Sequence, residues 1–136
     1  MNKRNIILIG MPGAGKSSVG VILAKVLGYE FIDTDLVIQH REKRLLREII
    51  ADEGNEGFLA IENEVNATLE ANKSVIAPGG SAIYGKEAME HFKEIGTIVY
   101  LKLSYEDLAK RLGNLKGRGV VLKAVSYTHL TLPTKL

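Results

Sequence analysis

The sequence predicts an α/β fold: a parallel sheet with helices on both faces. Three observations carry this. An apolar run bounded by turn residues opens the chain, three shorter runs of the same kind follow it, and segments of helical period lie between them. The first run, Asn5–Gly10, reads as a strand buried on both faces. Residues Lys16–Leu27 then place Val19, Ile22, Leu23 and Val26 on one helical face. A second strand is expected at Glu30–Asp33, helices at residues 45–51 and 58–69, and a third strand at Ser74–Ala77. A helix at residues 87–95 leads to a fourth strand at residues 97–103. Ser104 followed by Asp107 starts a further helix in the manner of a capping box. No internal repeat or low-complexity linker interrupts the series.

A chain of 136 residues, 46% of them hydrophobic, fits one domain and leaves little room for a second core. Its 18 basic and 16 acidic residues are interleaved, giving a formal net charge of +2. No field of one sign argues for nucleic acid or an anionic membrane, so the expected partner is a small molecule and the expected state a monomer. There is no cysteine, which excludes disulfides and thiolate metal sites and fits the cytoplasm. The N-terminal apolar run is too short for a signal peptide and is broken by Gly10, Pro12 and Gly13. No stretch approaches the roughly 20 apolar residues of a membrane span.

The last residues, VSYTHLTLPTKL, show no periodicity and depart from the style of the preceding chain. They resemble the translation of a transposase-type sequencing adapter, which encodes Val125 to Thr134. Residues 125–136 are therefore expected to be a non-native tail, and residues 1–124 a domain incomplete at its C-terminus.

The strongest local signal is Gly10, Gly15, Lys16 and Ser17, which satisfy G-x-x-x-x-G-K-[ST] between a predicted strand and a predicted helix. Glycines let backbone N–H groups turn inward around a β-phosphate, and the helix N-terminus adds positive potential. Gly10, Gly13, Ala14, Gly15, Lys16, Ser17 and Ser18 are thus the expected nucleotide contacts. Lys16 reaches the β- and γ-oxygens, and the Ser17 hydroxyl ligates Mg²⁺. The guanine-reading N-K-x-D is absent, since Asn72-Lys73-Ser74-Val75 lacks the aspartate. That disfavours a GTP-binding switch.

The segment Glu30-Phe31-Ile32-Asp33-Thr34-Asp35 brings two carboxylates to the C-terminal end of the second strand, where open α/β sheets bind ligands. In an extended chain Asp33 and Asp35 share a face. One can hold Mg²⁺ water while the other takes an acceptor hydroxyl. The plainer alternative makes Asp35 the N-cap of the following helix.

In order and spacing, GMPGAGKSSVG, FIDTD, FLAIE, PGGSA, VYL and RLGNLKGRG resemble the shikimate kinases, over residues 4 to 123. The resemblance implies a three-layer α/β/α P-loop kinase fold whose fifth strand is missing here. It also implies ATP- and Mg²⁺-dependent phosphorylation of a small-molecule hydroxyl, shikimate becoming shikimate 3-phosphate. By it Asp33 is the Mg²⁺-associated carboxylate, and Asp35 binds and orients the substrate hydroxyl. Gly79 and Gly80, with Ser81 as the third member of the family's glycine cluster, approach the substrate ring. Arg118 falls on the lid arginine and Arg111 on the arginine covering adenine. Lys16, Asp35 and Arg118 are then the catalytic set.

Three departures stand against that pattern. The family's F-R-x-x-E, whose arginine clamps a carboxylate, reads Phe58-Leu59-Ala60-Ile61-Glu62. A charge-assisted hydrogen bond is worth about 1.5 to 3 kcal/mol, so a carboxylate acceptor should bind roughly ten- to more than a hundredfold more weakly. Ser81 replaces the third glycine, and the lid's R-P-L-L reads Arg118-Gly119-Val120-Val121. Arg41, Lys43, Arg44 and Arg47 are possible replacement cations, though a solvated helix face explains them more simply. His40, His91 and His129 have neither triad nor metal spacing and are expected at the surface or in the tail. Other readings are a kinase for another polar alcohol, gluconate-type acids included, and a nucleotide-binding module without transfer chemistry. The joint presence of Asp33, Asp35 and Arg118 favours an enzyme. Without a fifth strand, the fourth carries a bare apolar edge, and poor stability and little activity are expected for the chain as it stands.

Overall fold

In the computed structural model, which describes residues 4–10, 16–101 and 130–131, the first apolar run is β1 (Asn5–Gly10), the central strand of the sheet. It pairs in parallel with β3 (Ser74–Ala77) on one side and with β4 (Gly96–Leu101) on the other. β2 (Glu30–Asp33) adds in parallel beyond β3. The four strands and the helices between them form the expected parallel α/β architecture.

Strand alternation divides the core. Leu8, Val75, Val99 and Leu101 meet Val19 and Ala24 of α1 (Lys16–Leu27) on one face. Ile7, Ile9 and Ile76 meet Phe92 of α4 (Lys86–Ile95) on the other. The α1 face differs from the expected one, because Val26 is 58% exposed while Gly20 and Ala24 are buried. The helix seats on its small residues: a Cβ at Gly20 would run into the Phe31 ring, so α1 is rotated to bring bare backbone against that ring.

Between β2 and β3 the chain forms α2 (Thr34–Glu42) and α3 (Leu46–Ala67), packed together through Ile38, Ile49 and Val65. The two helices expected at 45–51 and 58–69 are present and meet at Gly54, where the backbone leaves helical geometry and the chain kinks. Gly54 sits at φ 77°, ψ 174°, a backbone state that glycine alone adopts cheaply. The Leu45 N–H donates to Glu48 Oε1 at 2.8 Å, which satisfies a backbone donor at the start of α3. A short 3₁₀ turn, Gly80–Tyr84, follows β3.

A fifth strand, β5 (Leu130–Thr131), pairs antiparallel with β4 at Tyr100 and Leu101. The sheet order is therefore β2-β3-β1-β4-β5. The four parallel strands are those expected, and the β4 edge, expected to be bare, is paired at these two residues. The pairing residues come from the stretch set apart as a tail. An edge strand offers unpaired N–H and C=O groups to any extended segment within reach.

Candidate functional site

Every parallel strand ends on the same side of the sheet. The register aligns Gly10 with Leu101 and Asp33 with Ala77, which brings the ends of β1, β2 and β3 together at the C-terminal edge. The crossover after β1 runs to β2 on one side of it, and the crossover after β3 runs back past β1 to β4 on the other, the reversal of strand order that opens a ligand crevice in α/β sheets.

On the donor side, Lys16 is the first residue of α1, and its Nζ donates to the Gly10 carbonyl at 3.1 Å. The ammonium is thereby held at the C-terminal end of β1. Burial lowers its pKa, against the opposing pull of the Asp35 carboxylate. Ser17 and Ser18 are exposed on the first turn of α1. Gly13, Ala14 and Gly15 lie outside the described residues, as do Arg111 and Arg118.

The two aspartates are divided between two elements, contrary to the reading that placed them on one strand face. Asp33 ends β2 and is itself the N-cap of α2, its Oδ1 accepting the Asp35 N–H at 2.9 Å. Asp35 lies in the first turn of the helix, so the capping role proposed for it belongs to Asp33. The helix starts directly after the strand, which turns the Asp35 side chain towards Lys16. Burial raises the Asp35 pKa, the Asp33 charge raises it further, and Lys16 opposes both. A carboxylate held at raised pKa beside an ammonium is suited to accept a proton from a hydroxyl.

The acceptor side is closed by the turn after β3. Gly79 has an ordinary extended backbone, φ −65° and ψ 166°, so its value lies in space and not in conformational freedom. A Cβ there would lie 2.9 Å from Asp35 Oδ1 and 3.3 Å from Glu62 Oε2. Gly80 opens the 3₁₀ turn, and the next residue, Ser81, donates from Oγ to Glu62 Oε1 at 2.7 Å. Glu62 is only 2% exposed, and its Oε2 has no hydrogen-bond partner among the described residues. Burial raises its pKa, the Ser81 hydrogen bond pulls it back, and the Asp35 charge raises it again.

Glu62 was not among the site residues expected from the sequence. The signal was its place at the end of Phe58-Leu59-Ala60-Ile61-Glu62, an acid on the face of α3 that buries Val65. Leu59, one turn earlier, joins Glu62, Asn63, Ser81, Tyr84 and Lys86 in lining a cleft of about 300 Å³.

The basic residues of α2 and its loop are mostly committed elsewhere. Arg41 pairs with Glu64 at 3.0 Å, and Arg44 gathers Glu42, Asp52 and Glu53 at 3.0 to 3.3 Å. Lys43 occupies a left-handed cap position, and Arg47 is exposed. His40 is exposed as expected, whereas His91 is part-buried and contacts the Leu69 carbonyl through Nε2 at 2.7 Å, so it serves as a packing residue. His129 lies outside the described residues.

Among the described residues no group of three His, Cys, Asp or Glu side chains is placed to hold a metal, and no helix is long and apolar enough to cross a membrane. Mg²⁺ does not need such a group, because it binds nucleotide through one or two protein oxygens, phosphate and water. Ser17 and the remaining Asp33 oxygen suit that donor set.

The family model for shikimate kinase matches residues 12–131. Shikimate kinase 2 of Yersinia pseudotuberculosis serotype O:3 (strain YPIII) is 38% identical over 109 residues, 80% of this chain and 63% of the relative. Shikimate kinase 2 of Yersinia enterocolitica serotype O:8 is 39% identical over the same share of each. The chain thus spans 63% of the length of these curated relatives. Among solved structures, shikimate kinase from Acinetobacter baumannii in complex with shikimate has a TM-score of 0.69 and 32% identity, over 91% of this chain and 73% of its own. Shikimate kinase from Aquifex aeolicus has a TM-score of 0.65 and 27% identity, over 92% and 83% respectively. The phosphate-loop strand and helix, the Asp33–Asp35 turn and the Gly79–Ser81 turn stand in a fold that these comparisons share, and the chain belongs to the shikimate kinase family.

Proposed function

We propose that the protein transfers the γ-phosphoryl group of ATP to a hydroxyl of a small alcohol, with shikimate the acceptor that kinship supports. The observation that carries the transfer step is the placement of Asp35 between the Lys16 ammonium and the space over Gly79. A binding module has no use for a half-buried carboxylate at raised pKa beside its phosphate lysine. An enzyme that must take a proton from an alcohol does.

In this reading the acceptor oxygen forms a bond to γ-phosphorus as the bond to the β,γ-bridging oxygen breaks, and ADP leaves. The hydroxyl proton passes to the Asp35 carboxylate and then to solvent. Lys16 binds the β- and γ-oxygens and offsets the charge that spreads over them. Ser17 and Asp33 would hold Mg²⁺, which would supply positive charge against the phosphates. Arg118 is assigned the closing lid cation and Arg111 the adenine face. Gly79, Gly80 and Ser81 are assigned the acceptor wall. A second reading, a different polar alcohol, is favoured by Leu59, which removes the family's carboxylate clamp.

Residues 125–136 we take to be foreign to the enzyme. The test follows ADP release with shikimate and a panel of hydroxy acids and polyols. It uses the 136-residue chain and a chain in which the natural continuation replaces that tail. Acceptor-dependent turnover that is lost in Lys16→Ala supports the transfer. ADP release that no acceptor stimulates in either chain overturns it.

A further inference from the structure

We infer that the acceptor subsite walled by Leu59, Glu62 and Ser81 receives an uncharged hydroxyl-bearing group, and that it disfavours a carboxylate there. The inference rests on the phosphoryl-transfer reading and selects between its two acceptors.

The starting point is an unanswered atom. Glu62 Oε2 is enclosed, yet nothing among the described residues donates to it, and leaving a buried polar atom unpaired is costly. Its partner oxygen is already engaged by Ser81 at 2.7 Å, so Oε2 cannot relax by rotating the carboxyl without losing that bond. Both Oε2 and Asp35 Oδ1 lie within 3.3 Å of the point that a side chain at residue 79 would fill. That space is open only because residue 79 is glycine. A ligand with a hydroxyl against Asp35 therefore carries its neighbouring group to Glu62.

The lining chemistry then discriminates. Ser81 uses its proton on Glu62, so Oγ faces outward as an acceptor, and Oε2 is an acceptor as well unless protonated. A ligand hydroxyl suits Oε2 in either state, donating to the carboxylate or accepting from the acid. A ligand carboxylate suits only the acid and meets the charge of Asp35 in either case. Leu59, one turn before Glu62 on α3, offers it no hydrogen bond. Arg41 and Arg44, the nearby cations of α2 and its loop, are held by Glu64 and by Glu42, Asp52 and Glu53, and Lys86, which lines the same cleft, lies beside Glu87, whose pKa its charge lowers.

Shikimate and its methyl ester separate these outcomes, since they share every ring hydroxyl and differ in the charge. The ester is expected to show kcat/KM about tenfold above that of the acid, the size of one charge-assisted contact. Leu59→Arg, which supplies a donor for Oε2 and a cation for the acid, should reverse the preference. Glu62→Leu, which removes the accepting oxygen, should lower kcat/KM for the ester about tenfold or more. A preference for the acid, or none, overturns the inference, as does a Leu59→Arg variant that leaves the ratio unchanged. If no hydroxyl compound is phosphorylated, the transfer reading fails by itself. Calorimetric binding to the nucleotide-loaded chain then decides the subsite: tighter binding of the ester upholds it, and tighter or equal binding of the acid, or binding of neither, overturns it.

Discussion

Asp33 caps the helix that carries Asp35: its Oδ1 accepts the Asp35 backbone N–H at 2.9 Å, and its charge also raises the pKa of the Asp35 carboxyl. One side chain therefore places the Asp35 carboxylate and tunes it.

These two effects can be separated. Asp33→Asn keeps a capping oxygen and removes the charge, while Asp33→Ala removes both. The alanine variant should lose about 0.5–2 kcal/mol of stability in denaturant titrations, and the asparagine variant little. Asp35 must be ionised to act as a base, and its pKa is raised, so activity should climb with pH through a limb above the ordinary value of 3.8. In Asp33→Asn that limb should move to lower pH, read from the pH profile of kcat/KM, because one of the causes of the raised pKa has gone. An unmoved limb would assign the limb to another group.

Gly79→Ala should damage acceptor use without unfolding the protein. The backbone at Gly79 suits any residue, but the new methyl group would sit 2.9 Å from Asp35 Oδ1 and displace it. Misplacement of a reacting group by about 1 Å can cost on the order of a hundredfold in rate. We expect a loss of kcat/KM for the acceptor of at least about tenfold, with the affinity for ADP unchanged in calorimetry.

Glu62 makes stability pH-dependent with a defined sign. Its folded pKa is raised, so between the ordinary value of 4.5 and the folded value the native state binds more protons than the unfolded state. Stability contributed by the neutral acid is therefore lost as pH rises through that window. Glu62→Gln, which cannot ionise, should melt at a temperature close to that of the parent at pH 4 and above it at pH 8. A parent chain that melts higher at pH 8 would show that a cation pairs with Glu62.

Asn5 ties the N-terminal end of the sheet together and has no part in the site. Its Nδ2 donates to the Ala71 carbonyl at 3.0 Å and the Ile95 carbonyl at 2.9 Å, and its Oδ1 accepts the Ser74 N–H at 3.0 Å. Leucine in its place would leave three buried backbone groups unpaired, at about 1–3 kcal/mol for each one that water cannot reach. Asn5→Leu should lower stability by several kcal/mol in urea titrations, while nucleotide affinity under folding conditions stays within a few-fold.

Local pattern alone was enough for β1, α1, β2 and β3, whose bounds agree with the sequence reading because hydrophobic period and turn residues act within a few positions. It was not enough for α2, a polar segment with only Thr34 and Ile38 buried, or for how closely the two predicted helices meet at Gly54. An exposed stretch around a glycine reads as a loop until the helices on either side pack as one wall.

The sequence by itself determined that this is a parallel α/β protein with a phosphate loop and acidic residues at its strand ends, since each of those features is written in contiguous residues. Only the tertiary structure decided which aspartate caps and which faces Lys16, that Arg41 and Arg44 are engaged by other carboxylates, and that Glu62 shares the space over Gly79 with Asp35. Those are matters of partner choice. They depend on which elements the sheet brings side by side, and a side chain's charge and hydrogen bonding are set by what it meets there.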